Sequence, residues 1–414
     1  MKRQLLFVAA LCVAVIAGTA DGVGLLGVSR AGHPLAAPDT IVSPAGPGSA
    51  EPNLAVGPDG RVYMSWLEPA DSGFALRFSS FDANAWSRAR TIRSGRDFFV
   101  NWADFPSIEV LGDGRLVAHW LQRTGRATYA YGVRVSQSRD DGQTWSPAIT
   151  PHRDSSNTEH GFVSLWPEKE RFGAVWLDGR NFSKEGHSPR NEMMVVTTTL
   201  DGSGKAGAEV PLDQRACDCC QTSAAMTSNG PIIAYRDRSP DEIRDIYVVR
   251  RVNEKWTAPV AAHNDGWKIA ACPVNGPAID ALGARVALAW FTGANDSPRV
   301  KLAFSSNSGA KFGQPIRIDE GTPAGRADVA LLPDGGALVS WIERTGGDTA
   351  AVLVRRVHRN GKSAAPMIVA QSSASRASGF PRMMISGEHA FFAWTAPGRP
   401  SAVKVARLSL ANIR

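Results

Sequence analysis

The segment Val62-Tyr63-Met64-Ser65-Trp66 decides the fold, because this short apolar run with an aromatic end returns throughout the chain. Its copies follow one another at intervals of roughly 50 to 60 residues, a period typical of proteins built from repeated structural units. The seven copies end at Trp66, Trp120, Trp176, Tyr235, Trp290, Trp341 and Trp394. The chain therefore divides into seven modules.

Each copy lies at the centre of a four-stranded module. In the first module the apolar run Pro52 to Val56 leads into the turn Gly57 to Gly60, whose Gly and Asp residues are those that hairpin turns require. A third strand follows at Leu76 to Phe81, and a short fourth strand ends near Trp86. Four antiparallel strands per module describe a propeller blade, because each small sheet buries its faces against its neighbours. We predict an all-β fold, a β-propeller with seven blades, with six as the alternative.

The last module lacks a fourth strand, since the chain ends soon after Val403 to Leu408. The segment Asp39 to Ser43 can supply it, which would close the ring and remove an exposed edge. The propeller domain is accordingly expected over residues 39–410. The repeated tryptophans are expected to pack between blades.

The first residues have the pattern of a secretory signal. A positive start is followed by the apolar stretch Leu5 to Ile16 and the small residues Gly18 to Ala20. We predict a signal peptide over residues 1–20 and a linker over 21–38, hence export to the periplasm or beyond. An uncleaved membrane anchor is the alternative, although a span needs about 20 apolar residues.

The charge pattern argues against a nucleic-acid partner. The net charge is +7, but the 46 basic and 39 acidic residues are interspersed without a long basic run. A mixed, solvated surface and a monomer are expected.

The third strand of the second module runs into a specific motif. It fits Ser-x-Asp-x-Gly-x-Thr-Trp at Ser138, Asp140, Gly142, Thr144 and Trp145. A worn copy, Ser306 to Phe312, lies at the equivalent place in module five, displaced by one residue at its start. The motif resembles the aspartate box (BNR repeat) of sialidases, and by blade pattern the resemblance covers about residues 40–410. In that family the box is a structural turn on the rim away from the active site.

The resemblance also implies a chemistry that can be compared with this sequence. Sialidases hold the substrate carboxylate with three arginines and use a Tyr activated by Glu as nucleophile, with an Asp as acid/base. The early Arg-Ile-Pro motif of the family is absent, and Glu51-Pro52-Asn53 opens the first blade instead. Tyr235 and Asp104 are the candidates for nucleophile and acid/base. We expect a propeller that binds a glycan or other acidic ligand without turning over a sialoside; an active exo-sialidase is the alternative.

The loops after the aromatic strands carry candidate ligand-binding residues. Since these loops lie at the end where each first strand begins, they should surround the mouth of the central channel. Arginine side chains there could clamp a carboxylate or sulfate through paired hydrogen bonds, or could instead form ion pairs between blades. The candidates are Arg180 and Asp178 in module three and Arg236, Arg238 and Arg244 in module four.

Four cysteines remain beyond residue 20: Cys217, Cys219, Cys220 and Cys272. In an exported protein they argue first for disulfides. We predict that Cys272 bonds to one of the other three. The second pair would be Cys217 with Cys219 or the vicinal Cys219 with Cys220. Alternatives are a soft metal such as copper or zinc, with His160 as a further ligand, and a redox thiol.

Overall fold

The computed structural model describes residues 37–71, 73–82, 84–182 and 192–413. The predicted signal peptide over 1–20 lies outside these residues, as does most of the predicted linker. The described residues form seven antiparallel sheets and three short 3₁₀ turns, Ala294–Asp296, Arg376–Ser378 and Leu410–Asn412. No described segment forms a helix with the length and apolar character needed to cross a bilayer.

The strands are grouped by blade as follows: blade 1, β2 (Ala50–Val56), β3 (Val62–Ala70), β4 (Gly73–Asp82), β5 (Ala85–Trp86) and β6 (Arg90–Gly95); blade 2, β7 (Ser107–Val110), β8 (Leu116–Arg123) and β9 (Tyr131–Ser138); blade 3, β10 (His160–Glu168), β11 (Arg171–Asp178), β12 (Met193–Leu200) and β13 (Val210–Ala216); blade 4, β14 (Ser223–Thr227), β15 (Gly230–Arg236), β16 (Ile246–Val252), β17 (Lys255–Trp256) and β18 (Val260–His263); blade 5, β19 (Ala278–Leu282), β20 (Arg285–Thr292), β21 (Arg299–Ser305) and β22 (Ile316–Arg317); blade 6, β23 (Pro323–Leu331), β24 (Ala337–Gly346), β25 (Thr349–Val357) and β26 (Met367–Ser373); blade 7, β27 (Arg382–Ser386), β28 (His389–Ala396), β29 (Ala402–Ser409) and β1 (Asp39–Ile41).

The blades form a closed ring. The innermost strands contact one another in the order β2, β7, β10, β14, β19, β23 and β27, and β27 contacts β2. In blade 2, Ile149 bridges to Val135 of β9 and occupies the place of an outer strand. The prediction of an all-β, seven-bladed propeller is confirmed.

The ring closes in blade 7 with a strand from the other end of the domain. β1 pairs antiparallel with β29, from Asp39 opposite Arg407 to Ile41 opposite Val405. The buried hydroxyl of Ser49 accepts the backbone N–H of Val403 at 2.9 Å and reinforces this closure. The predicted source of the missing strand is therefore confirmed.

The repeated tryptophans are buried between neighbouring blades, as predicted. Trp66 packs against Phe391 and Val403 of blade 7, and Trp176 packs within the cluster that contains Val133 of blade 2. Their indole N–H groups also need acceptors, because an unpaired polar group is costly in a core. The acceptors are carboxylates two positions further on, at 2.7 to 2.8 Å, in the pairs Trp66–Glu68, Trp176–Asp178 and Trp341–Glu343.

The Ser138-to-Trp145 segment forms a compact turn after β9. Asp140 accepts the backbone N–H of Thr144 at 2.9 Å and its hydroxyl at 2.6 Å, and these bonds lower the pKa of the Asp140 carboxyl to about 2. Ser138 accepts the N–H of Gly142 at 2.8 Å. Trp145 then packs edge-on against Phe78 of blade 1. The turn thus attaches blade 2 to its neighbour.

The worn copy in blade 5 forms the same turn, but one residue earlier than expected. Ser305 accepts the N–H of Gly309 at 3.1 Å, and Asn307 accepts the N–H of Lys311 at 3.0 Å. Ser305, not Ser306, is therefore the equivalent of Ser138. With this register the copy matches the spacing of the first motif, with Asn in place of Asp.

Candidate functional site

A cavity of about 170 Å³ lies among the innermost strands. Its lining includes the carboxyl groups of Asp104, Glu109, Asp280 and Asp328, together with the guanidinium of Arg382. Arg382 lies 3.5 Å from Asp328, so one of these carboxylates has a cationic neighbour. The centre of the ring is therefore rich in carboxyl groups.

Three of these carboxylates each link one blade to its neighbour. Asp104 accepts the N–H of Phe162 at 2.7 Å, Asp280 that of Leu331 at 2.7 Å, and Asp328 that of Met383 at 2.9 Å. Burial penalises their charged forms. It raises the pKa of Asp104 to about 7 and that of Asp280 to about 6. The same cause raises the pKa of Glu109 to about 8.

Asp104 belongs to a three-residue cluster at one end of this cavity. The phenol oxygen of Tyr131 lies 2.8 Å from Oδ2 of Asp104 and 2.6 Å from Oε1 of Glu159. A phenol has one hydrogen to donate, so one of the two carboxyl groups must be protonated for both contacts to be hydrogen bonds. Burial, with the nearby charge of Asp104, raises the pKa of Glu159 to about 8. Glu159 is half-buried, whereas Asp104 and Tyr131 are buried, so Glu159 is the member that keeps exposed surface.

Sequence analysis placed Asp104 at the mouth but did not identify Tyr131 or Glu159. Tyr131 begins β9 and Glu159 immediately precedes β10, so they are neighbours only across blades 2 and 3. No spacing in one module reveals such a contact. The sequence did contain one signal for Glu159. It directly precedes His160, which occupies the position in module three that the predicted mouth residues occupy in the other modules.

The candidate tyrosines are buried. Tyr131 is 1% exposed, and its ring stacks on Phe99 with centroids 3.8 Å apart. Tyr235 is 0% exposed and donates its hydroxyl to Asp213. Burial and the adjacent carboxylates raise the pKa of both phenols. Tyr235 occupies the position that tryptophan takes in the other blades, which accounts for its location.

The predicted arginine cluster is present, but its donors have partners inside the protein. Arg236 is 1% exposed and donates to the carbonyls of Asn275, Arg244 and Phe291. Its guanidinium also lies 4.8 Å from the ring centre of Trp267. The side chain therefore holds blades 4 and 5 together.

The other three arginines pair with carboxylates. Arg180 bonds to Asp178 at 2.6 Å and to Glu209 at 3.0 Å. Arg238 and Arg244 both bind Glu242, at 2.8 and 2.9 Å. The alternative to an external anion was ion pairs between blades, but these pairs form within blade 3 and within blade 4.

The cysteines form one disulfide. Cys219 is bonded to Cys272, with Cα atoms 6.1 Å apart, as predicted for Cys272. The predicted second disulfide is wrong, because both proposed pairs required Cys219, which Cys272 already occupies. Cys217 and Cys220 are buried free thiols. The Sγ atoms of Cys217, Cys219 and Cys220 lie within 4.8 Å of one another.

His160 lies apart from the cysteine cluster, which corrects its expected role. Its Nε2 is 3.0 Å from Oδ2 of Asp154 and 3.6 Å from Oδ1 of Asp178, and its ring stacks on His152. These partners come from blades 2 and 3, whereas the cysteines open blades 4 and 5. Among the described residues, the group of possible ligands that contains His160 is therefore Asp154, His160 and Asp178.

Comparison with known structures concerns the fold alone, and the one likeness below with a TM-score above 0.5 supports it. No family model matches the sequence, and a search of curated proteins gives no match. A protein of unknown function from Dyadobacter fermentans is 13% identical, with a TM-score of 0.52 over 91% of this chain and 98% of that chain. An α-L-arabinanase from Penicillium chrysogenum is 11% identical, with a TM-score of 0.49 over 91% of this chain and 98% of that one. The NanB sialidase from Streptococcus pneumoniae is 11% identical, with a TM-score of 0.46 over 92% and 72%. At such identities the likeness concerns the fold alone.

Proposed function

We propose that the protein is a sialidase-like propeller that binds a carbohydrate at its channel mouth, through Glu159, without hydrolysing sialosides. The observation that carries this proposal is the Asp104–Tyr131–Glu159 cluster. It leaves a half-buried carboxyl at the mouth that is largely protonated near neutral pH. The second oxygen of Glu159, which does not contact Tyr131, can accept a hydrogen bond from a sugar hydroxyl.

The ligand favoured by these charges is neutral. Asp104, Glu159 and Asp218 lie close enough for their charges to influence one another. The arginines that would attract an anion already bind Asp178, Glu209 and Glu242. A sialic acid or uronic acid would meet these carboxyl groups, while the described arginines Arg180, Arg238 and Arg244 are already paired. A neutral oligosaccharide avoids this repulsion.

Sialidase chemistry is disfavoured by the burial of its nucleophile. Tyr131 and Glu159 form a Tyr–Glu pair of the type that the family resemblance implies. However, the Tyr131 phenol is 1% exposed and its ring is stacked on Phe99, so an incoming sugar cannot approach it. The aspartate-box turns of blades 2 and 5 support kinship in fold and carry no chemistry.

We place the protein outside the cytoplasm in this proposal. The secretory pattern of residues 1–20 supports export. The Cys219–Cys272 bond is of the kind that persists in oxidising compartments.

Binding to an array of neutral, sialylated and uronate-containing oligosaccharides tests the proposal, followed by calorimetry on the best ligand. We expect neutral glycans to bind and Glu159→Gln to weaken binding about tenfold, equivalent to one lost hydrogen bond of about 1.4 kcal/mol. Asp113→Asn, on the opposite rim, is the matched control and should bind as the wild type does.

Two results would contradict the proposal. One is exclusive binding of acidic glycans. The other is release of the fluorophore from a sialoside by the wild type that is lost in Tyr131→Phe.

A further inference from the structure

The four cysteines converge on one point between blades 4 and 5, which the proposed carbohydrate site does not use. The sulfur of Cys217 lies 3.8 Å from the sulfur of Cys219, and Cys219 is bonded to Cys272. A third sulfur, that of Cys220, is hydrogen-bonded to Cys217. A free thiol therefore lies about 2 Å beyond bonding distance of an existing disulfide.

The surroundings of Cys217 favour its thiolate. Burial alone would raise the pKa of this thiol. The hydrogen bond from Cys220 and the positive charges of Arg244 and Arg236 outweigh that effect, so the pKa of Cys217 lies below its ordinary value. Nη1 of Arg244 is 3.3 Å from the Cys217 sulfur. Thiolates, not thiols, attack disulfides.

The carboxylates near Cys217 do not cancel this positive field. Glu242 lies 2.9 Å from Nη2 of Arg244, the nitrogen that does not contact Cys217. Asp218 lies 3.5 Å from Nη1, the nitrogen that also contacts the sulfur, but the pKa of Cys217 is still lowered. Arg236 contributes its charge from β15, where its own hydrogen bonds go to neutral carbonyls. Two guanidinium groups and one thiol donor thus surround the Cys217 sulfur.

The two ends of the disulfide differ in exposure. Cys217 and Cys220 are each 1% exposed and Cys219 is half-buried, whereas Cys272 is exposed. If Cys219 is attacked from the inside, the displaced sulfur is the one that solvent can reach. This asymmetry gives the exchange a direction, from the interior to the surface.

We propose that the four cysteines form a thiol–disulfide exchange centre, in which Cys217 attacks Cys219 and releases Cys272 as a reactive surface thiol. A sulfur–sulfur bond forms between Cys217 and Cys219, and the bond between Cys219 and Cys272 breaks. The electron pair of the broken bond leaves with Cys272, which takes up a proton from water. One disulfide replaces another, so the step needs no external oxidant.

The released thiol has a defined class of substrate. Cys272 can attack a low-molecular-weight disulfide, forming a mixed disulfide and expelling one thiol of that compound. Oxidised glutathione serves as the probe. In the reverse step the Cys272 thiolate attacks Cys219 and expels Cys217, and reaction of Cys272 with the external disulfide prevents it.

Alkylation of the native protein, purified without reductant, tests the proposal. We expect N-ethylmaleimide to modify Cys272 in the wild type while a Cys217–Cys219 disulfide accumulates, as measured by mass spectrometry of peptides digested under acid. The rate should rise with pH below the range of an ordinary thiol, whose pKa is about 8.5. With oxidised glutathione the expected product carries one glutathione on Cys272.

Matched variants separate this role from a purely structural one. Cys217→Ser should abolish modification of Cys272, whereas Cys220→Ala should retain it at a lower rate, because only the hydrogen bond to the Cys217 thiolate is lost. Arg244→Gln should slow modification at neutral pH about tenfold and move the pH profile upward, because it removes a charge next to the thiolate. The pH profiles of Cys272 modification in the wild type and in Arg244→Gln test the proposal even if Cys217→Ser fails to fold.

Three outcomes would overturn the proposal. The first is that Cys272 stays unmodified in the wild type at every pH, and the second is that it reacts equally fast in Cys217→Ser. The third is that the purified protein retains one equivalent of copper or zinc that is lost on mutation of these cysteines, which would make the sulfurs ligands.

Discussion

The indole N–H of Trp176 donates to the carboxylate of Asp178 across 2.8 Å, and Asp178 has no exposed surface of its own. The same carboxylate receives two hydrogen bonds from the side chain of Arg180. Its pKa stays below the ordinary value because these bonds outweigh the effect of burial. Asp178, a predicted ligand-binding residue, therefore serves as the hydrogen-bond acceptor of a buried indole and a guanidinium.

Replacing this carboxylate should destabilise the fold. Asp178→Ala leaves the Trp176 N–H and Arg180 without their acceptor, and we expect a loss of about 2 to 4 kcal/mol in the free energy of unfolding. Glu343→Ala is the matched variant, since Glu343 accepts only the corresponding Trp341 bond at 2.7 Å among the contacts described here. Its loss should be smaller, about 1 to 2 kcal/mol. Urea denaturation of both variants checks the order, and equal losses would show that Arg180 adds nothing.

Gly142 in the Ser138-to-Trp145 turn should not tolerate a side chain. Its φ of +77° is in the left-handed region, and a Cβ there would lie 2.1 Å from the ring of Phe78. Gly114 has a similar φ of +82° but no atom within 4 Å of its Cβ position. Gly114→Ala should therefore cost only about 1 kcal/mol, from backbone strain, whereas Gly142→Ala should cost at least twice that. Thermal unfolding of both variants gives the comparison, and similar losses would contradict the predicted clash.

Stability should fall as the pH rises from 6.5 to 8.5. Asp104, Glu109 and Glu159 have folded-state pKa values of about 7, 8 and 8, far above the ordinary values near 4 that hold in the unfolded chain. The folded state thus binds more protons in this range, and its stability is lost as pH rises through these pKa values. Each titrating carboxyl contributes at most about 1.4 kcal/mol per pH unit.

The buried histidines oppose this trend only in the lower part of the window, because an unfolded histidine, with its ordinary pKa near 6.5, has lost its proton by about pH 7.5. Burial lowers the pKa of His119 to about 3 and that of His152 to about 4, so both are neutral in the folded state above pH 6.5. Urea midpoints at three pH values give the slope, and Glu109→Gln should flatten it. A stability that rises with pH would contradict the assignment of these carboxyls as proton-binding groups.

Removal of β1 should open the ring. A chain that starts at Ser43 lacks the partner of β29, and the unpaired edge should promote association. A chain that starts at Ala37 retains β1 and is the control. We expect the shorter chain to melt at a lower temperature and to elute as larger species in size-exclusion chromatography. Identical behaviour of the two chains would show that β1 is dispensable.

The fold was predictable because its determinants recur. One aromatic strand per module gives the blade number, and the missing outer strand of blade 7 identifies β1 as the closing segment. The shifted start of the corresponding turn in blade 5 was harder to predict, since Ser305 and Ser306 are adjacent and either could begin the motif. Only the hydrogen bond from Gly309 to Ser305 distinguishes them.

The site was predictable only in part, because it depends on contacts between modules. Asp104 was placed at the channel mouth, but its link to Glu159 through Tyr131 joins two blades. The arginines were recognised by residue type, while partners such as Glu209 and the carbonyl of Phe291 come from distant positions in the chain. The prediction of a second disulfide was wrong, because Cys219 is bonded to Cys272 and leaves Cys217 and Cys220 as free thiols.

The closing strand also constrains how the molecule can be made. Ser49 and Val403, which join the two ends of the ring, are 354 positions apart. At ordinary rates of synthesis, on the order of tens of seconds separate their appearance. Blades 1 to 6 can stack in order as they emerge, yet the last joint forms only after the whole domain exists. Until then the nascent arc presents two apolar blade faces at once, and chaperone capture or self-association in that interval competes directly with ring closure.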